Sequence, residues 1–153
     1  MPEMQILGVC GLYCGACEHY FAYTAEGAHI RRTRQTDDSQ IEECKGCRSN
    51  VLTVSCSKCG IRECAAGKNV LHCGLCREYP CDQLKQFQHD GRTHHVPILD
   101  NIESIKQHGP EQWLEDQGQR WNCKCGKGYS WYQAYCIQCN EPLASYSPFM
   151  NKK

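Results

Sequence analysis

Residues 44–81 of the chain read CKGCRSNVLTVSCSKCGIRECAAGKNVLHCGLCREYPC. Eight cysteines fall in this stretch, at short and regular spacings: Cys44, Cys47, Cys56, Cys59, Cys64, Cys73, Cys76 and Cys81. Two thiols separated by two residues suit one metal ion, and two such pairs complete a tetrahedral site. We therefore expect metal–thiolate bonds to hold this part of the chain together.

The same pattern continues on both sides of this stretch, so that the 153 residues contain 15 cysteines. Cys10-x3-Cys14-x2-Cys17 precedes it, and Cys123-x-Cys125-x10-Cys136-x2-Cys139 follows it. The odd count and the metal-type spacings argue against a disulfide framework. The start of the chain has no long apolar run of the signal-peptide kind. We expect a cytoplasmic protein in a reducing compartment, with no membrane association.

The composition limits the other function classes. The formal net charge is zero and there is no basic stripe, so nucleic acid is a less favoured partner than another protein. Valine, leucine, isoleucine and phenylalanine are sparse, and metal sites commonly compensate for a thin apolar core. No Ser–His–Asp pattern, phosphate loop or dinucleotide fingerprint occurs, so the sequence leans away from an enzyme.

The last four cysteines have the form of a zinc ribbon, in which two turns clasp one ion. Gly126 follows the first thiol pair and Asn140 the second, and both residue types tolerate a left-handed backbone. The aromatic residues between the pairs are typical of β-strands. Because four thiolates complete a tetrahedron, we expect a structural zinc site without an open position.

The other eleven cysteines allow several groupings. One grouping places Cys44, Cys47, Cys56 and Cys59 in one site and Cys64, Cys73, Cys76 and Cys81 in a second. Cys10, Cys14 and Cys17 would then remain, with His19 or His72 as a candidate fourth ligand, but interleaved groupings are equally allowed. With the ribbon, these sites predict about three zinc ions. Three thiols spaced like Cys10, Cys14 and Cys17 can also bind a [4Fe-4S] cluster, which makes iron–sulfur chemistry the alternative.

Apolar periodicity predicts helices around these sites. A helix is expected over residues 18–34 and another over residues 82–88. A third carries Ile98, Ile102 and Ile105, and a fourth begins at Pro110 and ends at Gly118. The expected fold is therefore small, α+β or irregular, and metal-stabilised. It comprises a multi-cysteine domain over 1–90, a helical connector over 91–119 and a zinc ribbon over 120–153.

Four motifs together resemble a known family. They are CGLYCGAC at 10–17, CKGC at 44–47, CGIRECA at 59–65 and CGLCREYPC at 73–81. The segment from Cys10 to Phe87 is similar to a family of small cysteine-rich bacterial and archaeal proteins classed as a domain of unknown function. The family is frequent in anaerobes, and the resemblance therefore adds weight to iron–sulfur chemistry.

Two functions follow as hypotheses. The first is a zinc-stabilised protein-interaction module, and the alternative is an electron-transfer or redox protein that uses the N-terminal cysteines. Glu18, Glu63 and Glu78 adjoin or lie close to cysteines, and a glutamate near an open metal position could act as a general base. Ordinary solvated charges are the simpler interpretation of these three residues.

Overall fold

The computed structural model describes residues 4–33 and 41–146, and this part of the chain is mostly helical. Its α-helices are α1 (Glu18–Phe21), α2 (Ala28–Thr33), α3 (Val54–Ser57), α4 (Gly60–Gly67), α5 (Asp82–Gln88), α6 (Ile98–His108) and α7 (Pro110–Arg120). Short 3-10 turns lie at Met4–Ile6, Cys14–Ala16, Cys73–Leu75 and Thr93–His95. Within the described residues, β-structure consists of the isolated bridges Leu7–Tyr13, Asn122–Gly128 and Tyr135–Pro142.

Helix α6 is the central apolar element of the fold. Its Ile98 and Ile102 lie fully buried in one apolar cluster with Val9, and its Ile105 lies in a second with Trp113 of α7. Gly109, with φ +88°, separates the two helices, and Pro110 begins α7 as the sequence predicts. The isoleucine spacing therefore correctly identified both the helix and its buried face.

Two glycines bring thiol-bearing segments against α6. Gly11 has φ +93°, and a Cβ there would lie 2.6 Å from the carbonyl oxygen of Ile98. Asn101 of α6 donates its side-chain amide to the Gly11 carbonyl at 2.9 Å. A Cβ on Gly74 would lie 2.5 Å from Cγ2 of Ile102. Only glycine allows so close an approach. The segments around Cys10 and Cys73 therefore both pack against α6.

The helix predicted over 18–34 is interrupted, and this prediction was wrong for residues 22–27. The Thr24 hydroxyl donates to the Phe21 carbonyl at 2.6 Å and accepts from the Gly27 N–H at 3.3 Å. Such local side-chain bonds compete with the helical ladder, so α1 ends and α2 begins after a turn. Arg31 of α2 then donates to the Ala22 carbonyl at 2.8 Å. The predicted end at Arg34 lies outside the described residues.

One smaller prediction is corrected in the same way. Helix α7 continues past Gly118 to Arg120, because the Trp121 N–H still donates to the Gln117 carbonyl at 3.1 Å. Three glycines near the cysteines of 44–81 have different roles. Gly46 has φ +109°, Gly60 begins α4, and Gly74 is required by its contact with Ile102.

The C-terminal residues pack against the N-terminal ones. Trp121, Tyr129, Trp131 and Leu143 share a buried cluster with Ala16. The Glu26 carboxylate also accepts a hydrogen bond from the Gly128 N–H at 3.1 Å. Contacts thus cross the proposed boundary at residue 120, and the division into 1–90, 91–119 and 120–153 stays a prediction. No helix in the described residues is both long and apolar enough to span a membrane.

Candidate metal centres

Two tight turns present the C-terminal thiols. In the first, the Cys123 N–H donates to the Lys127 carbonyl at 2.8 Å, and Gly126 has φ +94°. In the second, the Cys136 N–H donates to the Glu141 carbonyl at 2.9 Å, and Asn140 has φ +62°. The left-handed positions are the ones predicted. The residues between the turns form no regular strand, so the structure contains the two turns without the hairpins of a ribbon.

The four C-terminal thiols form a compact group. The sulfur atoms of Cys123, Cys125, Cys136 and Cys139 lie within 4.8 Å of one another. The Cys123–Cys139 pair is 3.5 Å apart and the Cys125–Cys136 pair 3.6 Å. A zinc–sulfur bond of about 2.3 Å implies tetrahedral sulfur separations of about 3.8 Å. This group could therefore hold one metal ion.

Backbone donors favour the thiolate form of one member of this group, Cys136. The Gln138 N–H lies 3.4 Å from the Cys136 sulfur. Hydrogen bonding from the Cys139 backbone N–H is the largest cause lowering the pKa of the Cys136 thiol to about 7. A thiol must lose its proton to bind a metal, and these N–H groups favour that form.

A second set of thiols surrounds a small apolar cavity of about 20 Å³. The set consists of Cys64 from α4, Cys73 and Cys76 from the 73–75 turn, and Cys81, which caps the N-terminus of α5. Burial, followed by the neighbouring Cys81 and Cys64 thiols, raises the pKa of Cys73 to about 12. The structure thus brings together the four residues of the second site in the proposed grouping.

The remaining seven N-terminal thiols line one large cavity of about 620 Å³, which we call the seven-thiol cavity. They are Cys10, Cys14, Cys17, Cys44, Cys47, Cys56 and Cys59. The first three are therefore not a separate remainder, because they face the same space as the other four. Gly46 makes this possible: a Cβ there would lie 2.2 Å from the Gln5 carbonyl, so the Cys44–Cys47 turn packs directly on the N-terminal segment.

The buried thiols of the cavity lie close enough to affect one another. Burial raises the pKa of Cys10 well above its ordinary value, and the thiols of Cys47 and Cys59 add to the effect. Burial likewise raises the pKa of Cys17 to about 12, with Cys56 and Cys44 as its thiol neighbours.

Cys14 has Cys47, Cys17, Cys10 and Cys44 as thiol neighbours, in that order of effect. The neighbours of one thiol overlap with those of the next, so the seven thiols form one continuous set. The grouping of Cys44, Cys47, Cys56 and Cys59 in one site stays a prediction.

Thiol spacing separates the C-terminal group from the N-terminal ones. Within residues 4–33 and 41–146, one group of three or more candidate ligands has all its donor atoms within 4.8 Å of one another. This group consists of the four C-terminal thiols. In the described part of the chain the eleven N-terminal thiols form no such group and line two cavities instead. The cavity lined by seven of them, at about 620 Å³, has room for more than a single ion, whereas the one of about 20 Å³ does not.

Histidines beside the cavity include two that sequence reasoning missed. His94 and His95 line the seven-thiol cavity, as does the predicted candidate His19, whereas the other candidate, His72, is buried elsewhere. His94 stacks on Trp131 at 4.5 Å and His95 on Phe87 at 3.7 Å. No metal-binding motif in the sequence includes this pair. The two histidines reach the cavity wall through their packing on Phe87 of α5 and on Trp131.

The glutamates are placed less favourably for chemistry. Glu18 lines the seven-thiol cavity, Glu78 pairs with Lys68, and Glu63 lies in the first turn of α4. Lys68 also reaches the Cys76 sulfur at 3.4 Å. Glu18 is thus the one of the three that shares a cavity with thiols.

Comparison with known proteins gives a family and little more. No curated protein and no solved structure matches the chain. One family model, described as a protein of unknown function (DUF3795), matches residues 6–86, which is more than half of the chain and includes all eleven N-terminal cysteines. The chain belongs to this cysteine-rich family of unknown function, DUF3795.

Proposed function

We propose that the protein is an iron–sulfur protein of the electron-transfer or redox type, with a structural zinc ion in its C-terminal group. The observation that carries the proposal is the contrast in the space beside the two kinds of thiol group. Four C-terminal sulfurs lie within 4.8 Å of one another, while seven N-terminal thiols line, with other residues, a cavity of about 620 Å³.

The chemistry of the donors supports this assignment. Cysteine thiolates are the ligands of both zinc and iron–sulfur clusters, so ligand type alone does not distinguish the two. Spacing does, because the iron and sulfide atoms of a cluster lie between its cysteines and hold them farther apart than one ion would. When bound, such a cluster supplies one-electron redox chemistry, while this chain supplies the thiolates, the buried setting and the backbone donors.

The two N-terminal thiol sets are adjacent, as electron transfer requires. Cys59 caps α4 at the wall of the seven-thiol cavity, and Cys64 lies in the same helix beside the small cavity. Five residues of helix span about 7.5 Å. Centres in the two cavities would therefore lie close enough to exchange electrons.

The test is metal and sulfide analysis of full-length protein purified without oxygen, combined with one variant for each type of site. Cys17→Ser should lower the iron and sulfide contents and leave zinc unchanged. Cys125→Ser should lower zinc and leave iron and sulfide unchanged. A wild-type protein without acid-labile sulfide would exclude the proposal.

A second candidate is a zinc-stabilised module that binds another protein. Tyr135 and Ile137, on either side of the ligand Cys136, are 56 % and 54 % exposed and offer an apolar contact surface. This candidate predicts a colourless protein with zinc in every centre. It also predicts that Ile137→Ser leaves metal content unchanged while it weakens association with the partner.

A further inference from the structure

The seven-thiol cavity is one ligand short of two four-coordinate centres. Eleven N-terminal thiols comprise the four around the small cavity and these seven. Four of the seven can fill one tetrahedral centre, which leaves three. The fourth donor of a second centre must then come from another side chain in the cavity wall.

His19 and His72 are poorly prepared to be that donor. The Nδ1 atom of His19 accepts the Glu42 N–H at 3.1 Å, and Nδ1 of His72 accepts the Gly74 N–H at 3.1 Å. A neutral imidazole with an accepting Nδ1 carries its proton on Nε2. In both rings the Nε2 lone pair is therefore not available to a metal.

The contact of His94 with Tyr132 does not fix the tautomer of its ring. The Tyr132 hydroxyl oxygen accepts the backbone N–H of His94 at 3.3 Å and contacts its Nδ1. A hydroxyl can donate to Nδ1 or accept from it, so neither ring nitrogen of His94 is held free for a metal.

His95 has the arrangement opposite to that of His19 and His72. Its Nδ1 lies 2.8 Å from a carboxylate oxygen of Asp90 and 3.1 Å from the Phe87 carbonyl oxygen, and both atoms accept hydrogen bonds. The proton is therefore on Nδ1, and the Nε2 lone pair is free. No hydrogen bond to this Nε2 is formed within the described residues. Metal-binding histidines typically have this arrangement: one ring nitrogen binds the metal, and the N–H of the other donates to a carboxylate or carbonyl oxygen.

Packing holds His95 rigidly in the wall of the seven-thiol cavity. The ring is 2 % exposed and lies parallel to Phe87, with centroids 3.7 Å apart and planes at 21°. Phe87 lines the same cavity and packs against the buried apolar cluster that includes Cys10. The histidine with the free lone pair is thus fixed in the wall that the seven thiols share.

We propose that Nε2 of His95 is the fourth ligand of a metal centre held by three of the seven thiols in this cavity, and that Asp90 positions the ring. The inference builds on the proposed function for the identity of the centre, but the ligand set holds for any metal bound there. It predicts a centre of mixed sulfur and nitrogen ligation beside centres with thiolate ligands alone. A histidine ligand raises the reduction potential of an iron–sulfur centre relative to a cysteine ligand.

The direct test uses the unaltered full-length protein, labelled with ¹⁵N-histidine and reduced without oxygen. Pulsed electron paramagnetic resonance should detect one directly coordinated nitrogen, and His95→Cys should abolish this coupling and lower the potential of one centre. His95→Ala should lose that centre. His89→Ala is the matched control, because His89 is an exposed histidine at the end of α5, away from the cavity wall, and this variant should match the wild type.

The outcomes separate the two proposals. Iron and sulfide in the wild type without any nitrogen coupling would overturn the role of His95 and leave the iron–sulfur assignment intact. A wild type that lacks sulfide would overturn the iron–sulfur assignment. The His95 ligand would then be read from the same ¹⁵N coupling in Co²⁺-loaded protein, and its absence there would overturn that role too.

Discussion

The backbone N–H of Trp131 donates a hydrogen bond to the carbonyl oxygen of Ala16 at 3.0 Å. Ala16 lies in the turn between Cys14 and Cys17, and Trp131 lies between the two C-terminal thiol pairs. The ring of Trp131 stacks on His94 in the wall of the seven-thiol cavity. One residue therefore connects the C-terminal metal group with the N-terminal thiols.

Loss of the C-terminal ion should disturb this connection. We expect Cys139→Ser, which removes an exposed ligand, to release zinc, shift tryptophan fluorescence and make the iron centres more easily lost to oxygen. Lys124→Ala is the control, because its 3.6 Å pair with Glu141 is exposed and such pairs contribute about 0–1 kcal/mol. Zinc release with unchanged fluorescence and iron stability would show that the two parts are independent.

Gly11 and Gly91 distinguish backbone strain from steric overlap. Both have φ near +92°, but a Cβ at Gly91 meets nothing within 4 Å, whereas one at Gly11 meets Ile98 and Ile102. Gly91→Ala should cost about 1–3 kcal/mol from strain alone. Gly11→Ala should cost clearly more and reduce metal incorporation. Thermal unfolding and metal content measure both effects, and equal losses of stability would refute the close packing of Gly11 on α6.

Truncation of Ile102 should show how far α6 supports the thiol segments. The side chain is fully buried, and Ile102→Ala should cost about 2–5 kcal/mol through lost burial and a new cavity. In a chain of this size this corresponds to a fall in Tm on the order of 10 °C. Val96→Ala serves as the control because Val96 is 59 % exposed, and its Tm should match the wild type. A small effect of Ile102→Ala would contradict the central position of α6.

Complete removal of metal should unfold the protein. The longest helices, α6 and α7, have 11 residues each, and isolated helices shorter than about 12–15 residues are marginal in water. Structural zinc sites contribute apparent binding energies of about 10–16 kcal/mol, which exceeds the stability of many small domains. Far-ultraviolet circular dichroism of protein treated with a chelator under reducing conditions should lose its helical signal. An unchanged spectrum after verified metal loss would contradict this account.

Sequence patterns predicted what depends on local spacing. The isoleucines of α6, the Gly109–Pro110 break and the left-handed Gly126 and Asn140 follow from periodicity and turn chemistry, and the structure confirms them. The grouping of the C-terminal thiols also followed from their spacing alone.

Long-range packing decided the rest. Cys44 and Cys47 share one cavity with Cys10, Cys14 and Cys17 because the Cys44–Cys47 turn packs on the N-terminal segment through Gly46. His95 approaches the thiols only through Phe87 and Asp90, and no motif records that contact. The break in the helix predicted after Glu18 likewise depends on the Thr24 hydroxyl, whose competing bond has no signature in apolar periodicity.

The most direct test of the central claim is the content of iron, acid-labile sulfide and zinc in the full-length protein purified without oxygen. The account predicts iron and sulfide in comparable amounts, a visible brown colour and one zinc ion per chain at the C-terminal group. A colourless protein that contains zinc in every centre and no sulfide would contradict it.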